Sequence, residues 1–183
     1  FRAFSQNYFG AIKAWDYFKN KHNWTGYTND PSKSIVVMST KSNGSSGEGS
    51  YQLHSFFADQ GGFIEILYSE TPEYVTEFDA IGHEFTHAVN FHAANLSLSI
   101  LETKSIDEAL ADIFSMSIFN SSFREQENWV MGGSRGVYRD LANPKNARNP
   151  TTYKGQYWDN SFRRYHGNGN LIGYWYYILT KGR

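Results

Sequence analysis

The run Phe78-Asp79-Ala80-Ile81-Gly82-His83-Glu84-Phe85-Thr86-His87-Ala88-Val89 constrains this chain more than any other stretch. Apolar residues at Phe78, Ile81, Phe85, Ala88 and Val89 keep a helical period. Thr76 with Asp79 three residues on resembles a capping box. On such a helix His83 and His87 lie one turn apart on the same face. Two imidazoles so placed can close on one zinc ion at about 2.0–2.1 Å each. Glu84 points beside the pair, where a general base takes a proton from water activated by the metal.

A second amphipathic helix offers a third ligand. In Ser105-Ile106-Asp107-Glu108-Ala109-Leu110-Ala111-Asp112-Ile113-Phe114, the residues Ile106, Ala109, Leu110 and Ile113 form one apolar stripe. Glu108 and Asp112 are i, i+4 neighbours on the other side. Such acidic pairs are ordinarily solvated, but downstream of an H-E-x-x-H helix this one reads as chemistry. Glu108 completes a set of two His and one Glu, with a fourth position open to water. Asp112 is placed to accept the second ring N–H of a ligating His.

Together, G-H-E-F-T-H-A-V and D-E-A-L-A-D-I-F resemble the thermolysin-like neutral metallopeptidases, the gluzincins in which two His and a Glu hold zinc. The resemblance implies one zinc per chain, a peptide or protein substrate, and endopeptidase cleavage on the amino side of bulky apolar residues. It also implies a secreted or extracellular setting. The fold expected is α+β. Residues 1–77 form a half of mixed sheet and helix with an edge strand for substrate. Residues 78–183 form a mainly helical half carrying the zinc site, and the H-E-x-x-H helix lies between the two.

The same resemblance assigns further residues. Leu53-His54-Ser55-Phe56-Phe57 falls on the edge strand that pairs with substrate backbone, with His54 and Ser55 where the family has Asn and Ala. Arg139 falls on the Arg that hydrogen-bonds the substrate carbonyl, work that suits a guanidinium fork. His166 falls on the His that holds the tetrahedral intermediate, and Asp159 is the upstream acid expected to orient it. The family's Ser-Gly after that His is Gly169-Asn170 here. A family Tyr that also donates to the oxyanion has no counterpart, because the aligned stretch is Leu98-Ser99-Ile100. That gap leaves an alternative, a catalytically weak zinc-bearing binding or adhesion module. Glu84 favours the enzyme, since a purely structural zinc site has no use for it. An exopeptidase finds no amine- or carboxylate-binding motif in its support. The paired calcium site of many family members is expected to be absent. Asp79 is present, but Phe119, Asn128, Val130 and Gly133 fall on the other positions, and a Phe, a Val and a Gly offer no side-chain oxygen.

The remaining segments set the frame. Phe4, Tyr8, Ala11, Ile12, Trp15 and Phe18 space as a helix over residues 4–20, followed by a loop over 22–33. Residues 34–40, 53–58 and 63–68 read as strands, 42–50 as a Gly/Ser-rich loop, and 120–136 as irregular. His22 and His92 read as structural. The length, 183 residues, suffices for one large domain or two small ones. A net charge of −1 gives no push toward nucleic acid or an anionic membrane, and no apolar run reaches transmembrane length. With no Cys, disulfide scaffolds and thiolate zinc sites are excluded. The likeness begins partway into the family's N-terminal half and stops before its last helices, so the chain reads as a compact relative, a fragment or the ordered part of a longer protein, with the fragment favoured. Oligomeric state is left open.

Overall fold

The computed structural model describes residues 2–41, 53–58, 61–68, 78–132, 137 and 139–182, with the backbone alone for 2–4, 6 and 35–68 within those ranges. Thr76, the 42–50 loop, Gly133 and Tyr138 lie outside them. Helix α1 (Arg2–His22) buries Ala11, Ala14 and Phe18 along one face. It stops at Asn23, whose φ of 53° is the left-handed conformation that Asn tolerates better than most residues. Strands β1 (Ile35–Lys41), β2 (Leu53–Ala58) and β3 (Gly61–Tyr68) form a sheet in the order β1-β3-β2. β1 runs parallel to β3 and β2 antiparallel to it, with His54 opposite Glu65 and Ser55 opposite Ile64. β2 is an edge of this sheet among the described residues, and it lies against the H-E-x-x-H helix.

That helix is α2 (Phe78–Ala94), and the acid-bearing helix is α3 (Leu101–Ser122). A ribbon of β4 (Val130–Met131) and β5 (Arg139–Asp140) follows, then one-turn 3-10 helices at Pro144–Ala147 and Phe162–Arg164. Helix α4 (Tyr165–Lys181) closes the described chain. One core cluster joins α1, α2 and α3 through Ala14, Phe18, Ile81, Phe85, Val89 and Ile118, with the Phe18 and Phe85 rings stacked at 5.8 Å. A second joins α3 to the ribbon and α4 through Ile113, Met116, Met131, Leu141 and Ile172. His22 packs its ring on Phe114 and His92 packs on Tyr27, both in keeping with structural roles.

The apolar stripe expected on α3 is corrected at one end. Ile106 is 40% exposed, whereas Asp107, Glu108 and Asp112 are all buried. The cause is position. α3 is packed by α2 on one side and α4 on the other, so its acidic face points into the molecule. The helices approach closely because glycines sit at the crossings. A Cβ on Gly82 would lie 3.2 Å from the Ser115 Cα, and one on Gly169 would lie 2.5 Å from the Ser105 carbonyl oxygen. No helix among the described residues is long and apolar enough to cross a membrane.

Candidate metal and catalytic site

α2 and α3 aim three donor atoms at one point. Nε2 of His83 and Nε2 of His87 are 2.9 Å apart, and Oε2 of Glu108 lies 3.3 Å and 3.5 Å from them. A tetrahedral ion with bonds of about 2.0–2.1 Å spaces its ligand atoms at about 3.3 Å, so the triangle fits one zinc. Glu108 Oε2 supports the same conclusion from another direction: it is buried and accepts no hydrogen bond. A buried carboxylate oxygen without a partner is costly, and a cation between the three donors removes that cost. Donor atoms of His83, Glu84 and His87 also fall within 4.8 Å of one another. Glu84 Oε1 stands 3.9 Å from His83 Nε2, at the side of the triangle.

Each imidazole is braced at its other nitrogen. His83 Nδ1 bonds Asp112 Oδ1 at 2.8 Å, and His87 Nδ1 meets Asp107 Oδ2 at 2.8 Å. Asp112 in turn accepts from Nη2 of Arg139 at 2.7 Å and from its Nε. Asp107 accepts from the Asn90 amide at 2.8 Å. Sequence reasoning missed Asp107 and Asn90. The available signal was spacing: Asn90 lies seven residues after His83 on the same helical face, and Asp107 directly precedes Glu108.

The electrostatics follow from burial and close charges. Burial raises the Glu84 carboxyl above the usual carboxylate range, and the neighbouring imidazoles only partly offset it. Burial opposes charge on His87, yet the Asp107 and Glu108 carboxylates carry it up to about 10. For His83, burial and the His87 charge are likewise outweighed by Asp112 and Glu108, so it too is raised. Burial would raise Glu108, but the two imidazoles hold it well below the usual range. Asp112 is also lowered, because Arg139 and His83 overcome its burial.

α4 brings His166 to the same point, with Nε2 3.2 Å from Glu108 Oε2. Burial lowers its imidazole to about 4, against the pull of Glu108. Asp159 is not paired with His166. Its Oδ1 accepts from the Ser161 backbone at 2.7 Å, and its own backbone is held by the Asn168 side chain at 2.7 Å and 3.3 Å. The longer spacing to Asp159 is used to tether the loop to α4 at Asn168, two residues past His166. Asn170, in the Gly169-Asn170 departure, donates to the Asp140 carbonyl at 2.9 Å and joins α4 to β5. The side chains of His54 and Ser55 lie outside the described residues, though their backbone forms the edge strand. Ser99 lies in the exposed turn between α2 and α3, 3.2 Å from the Ser97 hydroxyl.

The family model for the thermolysin metallopeptidase catalytic domain matches residues 3–90. The chain is 27% identical over 176 residues to bacillolysin of Brevibacillus brevis, covering 94% of this chain and 32% of the relative. It is 27% identical over 192 residues to thermolysin of Bacillus caldolyticus, covering 98% of this chain and 33% of the relative. It thus spans about a third of the length of the curated relatives it matches. In fold it is similar to the precursor of protealysin, a metalloproteinase from Serratia proteamaculans, with a TM-score of 0.75 and 14% identity over 100% of this chain and 60% of that one. With its H-E-x-x-H helix, its third donor and this fold, the chain is similar to part of the thermolysin metallopeptidase catalytic domain, which its residues 3–90 match.

Proposed function

We propose that the protein is a zinc endopeptidase that hydrolyses peptide bonds on the amino side of bulky apolar residues. The observation that carries this reading is the buried Glu84 carboxylate beside a donor triangle that suits zinc. Holding an ion takes His83, His87 and Glu108; a further carboxylate with a raised pKa is what a general base near neutral pH requires. One zinc per chain, held by those three residues, supplies a Lewis acid that acidifies water and polarises a carbonyl.

The chain's own residues do the rest. Glu84 accepts the proton of the attacking water and passes it to the leaving amine. His166, neutral at pH 7 with its imidazole lowered to about 4, offers an N–H to the developing oxyanion. Arg139 commits Nε and Nη2 to Asp112, which leaves Nη1 to meet a substrate carbonyl. Asp112 fixes the ring of His83. An extended peptide adds to the edge of β2, with His54 and Ser55 at substrate-facing positions. On this reading the substrate lies between the half before residue 78 and the helical half after it. A secreted setting belongs to the same reading, with neither nucleic acid nor membrane as partner.

A second reading, a zinc-bearing binding module with weak catalysis, is favoured by the Ser99 turn, which offers no phenol to the site. A peptide blocked at both ends separates the two. The endopeptidase reading expects internal cleavage before Leu, Ile or Phe that stops on chelation and returns with zinc. Stoichiometric zinc without cleavage would favour the binding module.

A further inference from the structure

We infer that Lys104 is a catalytic residue: its ammonium donates to the oxyanion alongside His166, the work left undone by the Leu98-Ser99-Ile100 turn. The inference rests on the endopeptidase reading. Lys104 stands one turn before Glu108 on α3, and Nζ lies 3.8 Å from Glu108 Oε1, beyond hydrogen-bond range. Its Nζ is also 4.3 Å from the centroid of the Tyr165 ring. That ring lies 4.2 Å from the ring of His166, whose Nε2 is 3.2 Å from Glu108 Oε2. A cation and an imidazole therefore flank the two oxygens of one buried carboxylate, with Tyr165 against both.

A lysine in an ordinary i, i+4 helix pair is solvated and mobile. Lys104 differs in two ways. Its side chain is only 21% exposed, and an aromatic ring holds the ammonium at the site rather than in bulk water. Ammonium is a compact charge with three rotatable donors, so it can turn from a distant carboxylate to a nearer anion. Ground-state carbonyl oxygen is a weak attraction for it; a full negative charge on that oxygen is a strong one, and such differential binding accelerates a reaction.

The electron and proton count is simple. The water oxygen bonds to the carbonyl carbon while its proton passes to Glu84. The carbonyl π pair moves onto oxygen, which accepts from Lys104 and His166, both keeping their protons. The pair then reforms the carbonyl as the C–N bond breaks, and Glu84 delivers its proton to the departing nitrogen.

The test compares Lys104→Met and Lys104→Arg with the parent protein, all zinc-loaded. It reads kcat and KM on a blocked peptide, zinc content, and calorimetric affinity for two probes. One probe is a peptide phosphonate that mimics the tetrahedral state; the other is the amine product, which carries no oxyanion. Lys104→Met is expected to lose about 10²-fold in kcat, as for other single oxyanion donors, with KM little changed. Its phosphonate affinity should fall in parallel, with zinc content and amine-product affinity intact, and Lys104→Arg should recover part of the loss. Parental kcat and phosphonate affinity in Lys104→Met would overturn the inference. So would a loss of zinc or of amine-product binding, which would make Lys104 a structural member of the site. A parent protein that binds zinc and cleaves nothing would refute the endopeptidase reading itself, and the role of Lys104 with it.

Discussion

His83 and His87 are each braced by a carboxylate, but the two braces carry different charge. Asp112 is neutralised by the fork of Arg139, whereas among the described residues the partners of Asp107 are His87 itself and the neutral Asn90 amide. Asp107 therefore passes its full charge to His87, which helps lift that imidazole from the ordinary 6.5 to about 10 against the effect of burial. The sign is fixed by direction. In protein stripped of metal, a His raised above its unfolded value contributes stability that is complete below about pH 6.5 and lost as pH rises toward 10. Zinc must displace that proton. Binding at pH 7 should release protons, and apparent zinc affinity should climb with pH through the neutral range. Calorimetry in buffers of different ionisation enthalpy checks this, and a binding heat independent of buffer would contradict it. Asp107→Ala should weaken zinc retention about 10–100-fold in competition with a chelator, as losing such an outer brace typically does. Asp107→Asn, which keeps an acceptor, should lose less. Unchanged retention in Asp107→Ala would show that the brace is idle.

At the scale of elements, α3 is the wedge that everything chemical leans on. It faces α2 at Gly82, where a methyl group would be tight, and α4 at Gly169, where there is no room for one. Gly169→Ala would drive a Cβ to within 2.5 Å of the Ser105 carbonyl, a backbone atom that cannot swing aside. The expected cost is about 1–3 kcal/mol of overpacking, read by denaturant unfolding, together with a shift of His166 away from Glu108. A variant as stable as the parent would mean that α4 is not seated on α3 as described. This contact also shows what sequence could and could not reveal. The pairing of His83 with His87, and the helix bearing Glu108, were legible because both follow from periodicity along one helix. The burial of Asp107 and the exposure of Ile106 were not, because they depend on how α3 is rotated between two neighbours. Arg139 was read as a substrate contact alone. Its bond to Asp112 joins residues 27 apart in sequence, which no local pattern reveals. Asp159 was assigned by rough position, and the spacing decided otherwise.

For the molecule as a whole, the helices that carry the site, α2 and α3, lie close to where the apolar patterns put them. The proposed lack of a paired calcium site is a statement about how the chain is stabilised. Asp79 accepts from the Gly132 and Ala80 backbone at 2.9 Å and 3.0 Å. Phe119 packs on Phe78 and Phe123, with ring centroids 5.8 Å and 5.0 Å away. Asn128 exchanges hydrogen bonds with Asn120, and Glu127 is paired with Lys181. Rings and amides thus tie α2, α3 and the following loop where acids would gather around calcium. Millimolar calcium should leave the melting temperature unchanged at saturating zinc, since a ligand stabilises only by binding the folded state. A rise of several degrees would contradict this.

The central claim, that the donor triangle serves catalysis through Glu84, is tested most directly by Glu84→Gln. The substitution removes the base and no proposed ligand. Zinc content measured by metal analysis should stay at one per chain, while hydrolysis of a blocked peptide should fall by about 10²–10⁴-fold, the usual worth of a general base. A variant that keeps its zinc and more than about a tenth of parental turnover lies outside that range and would contradict the account.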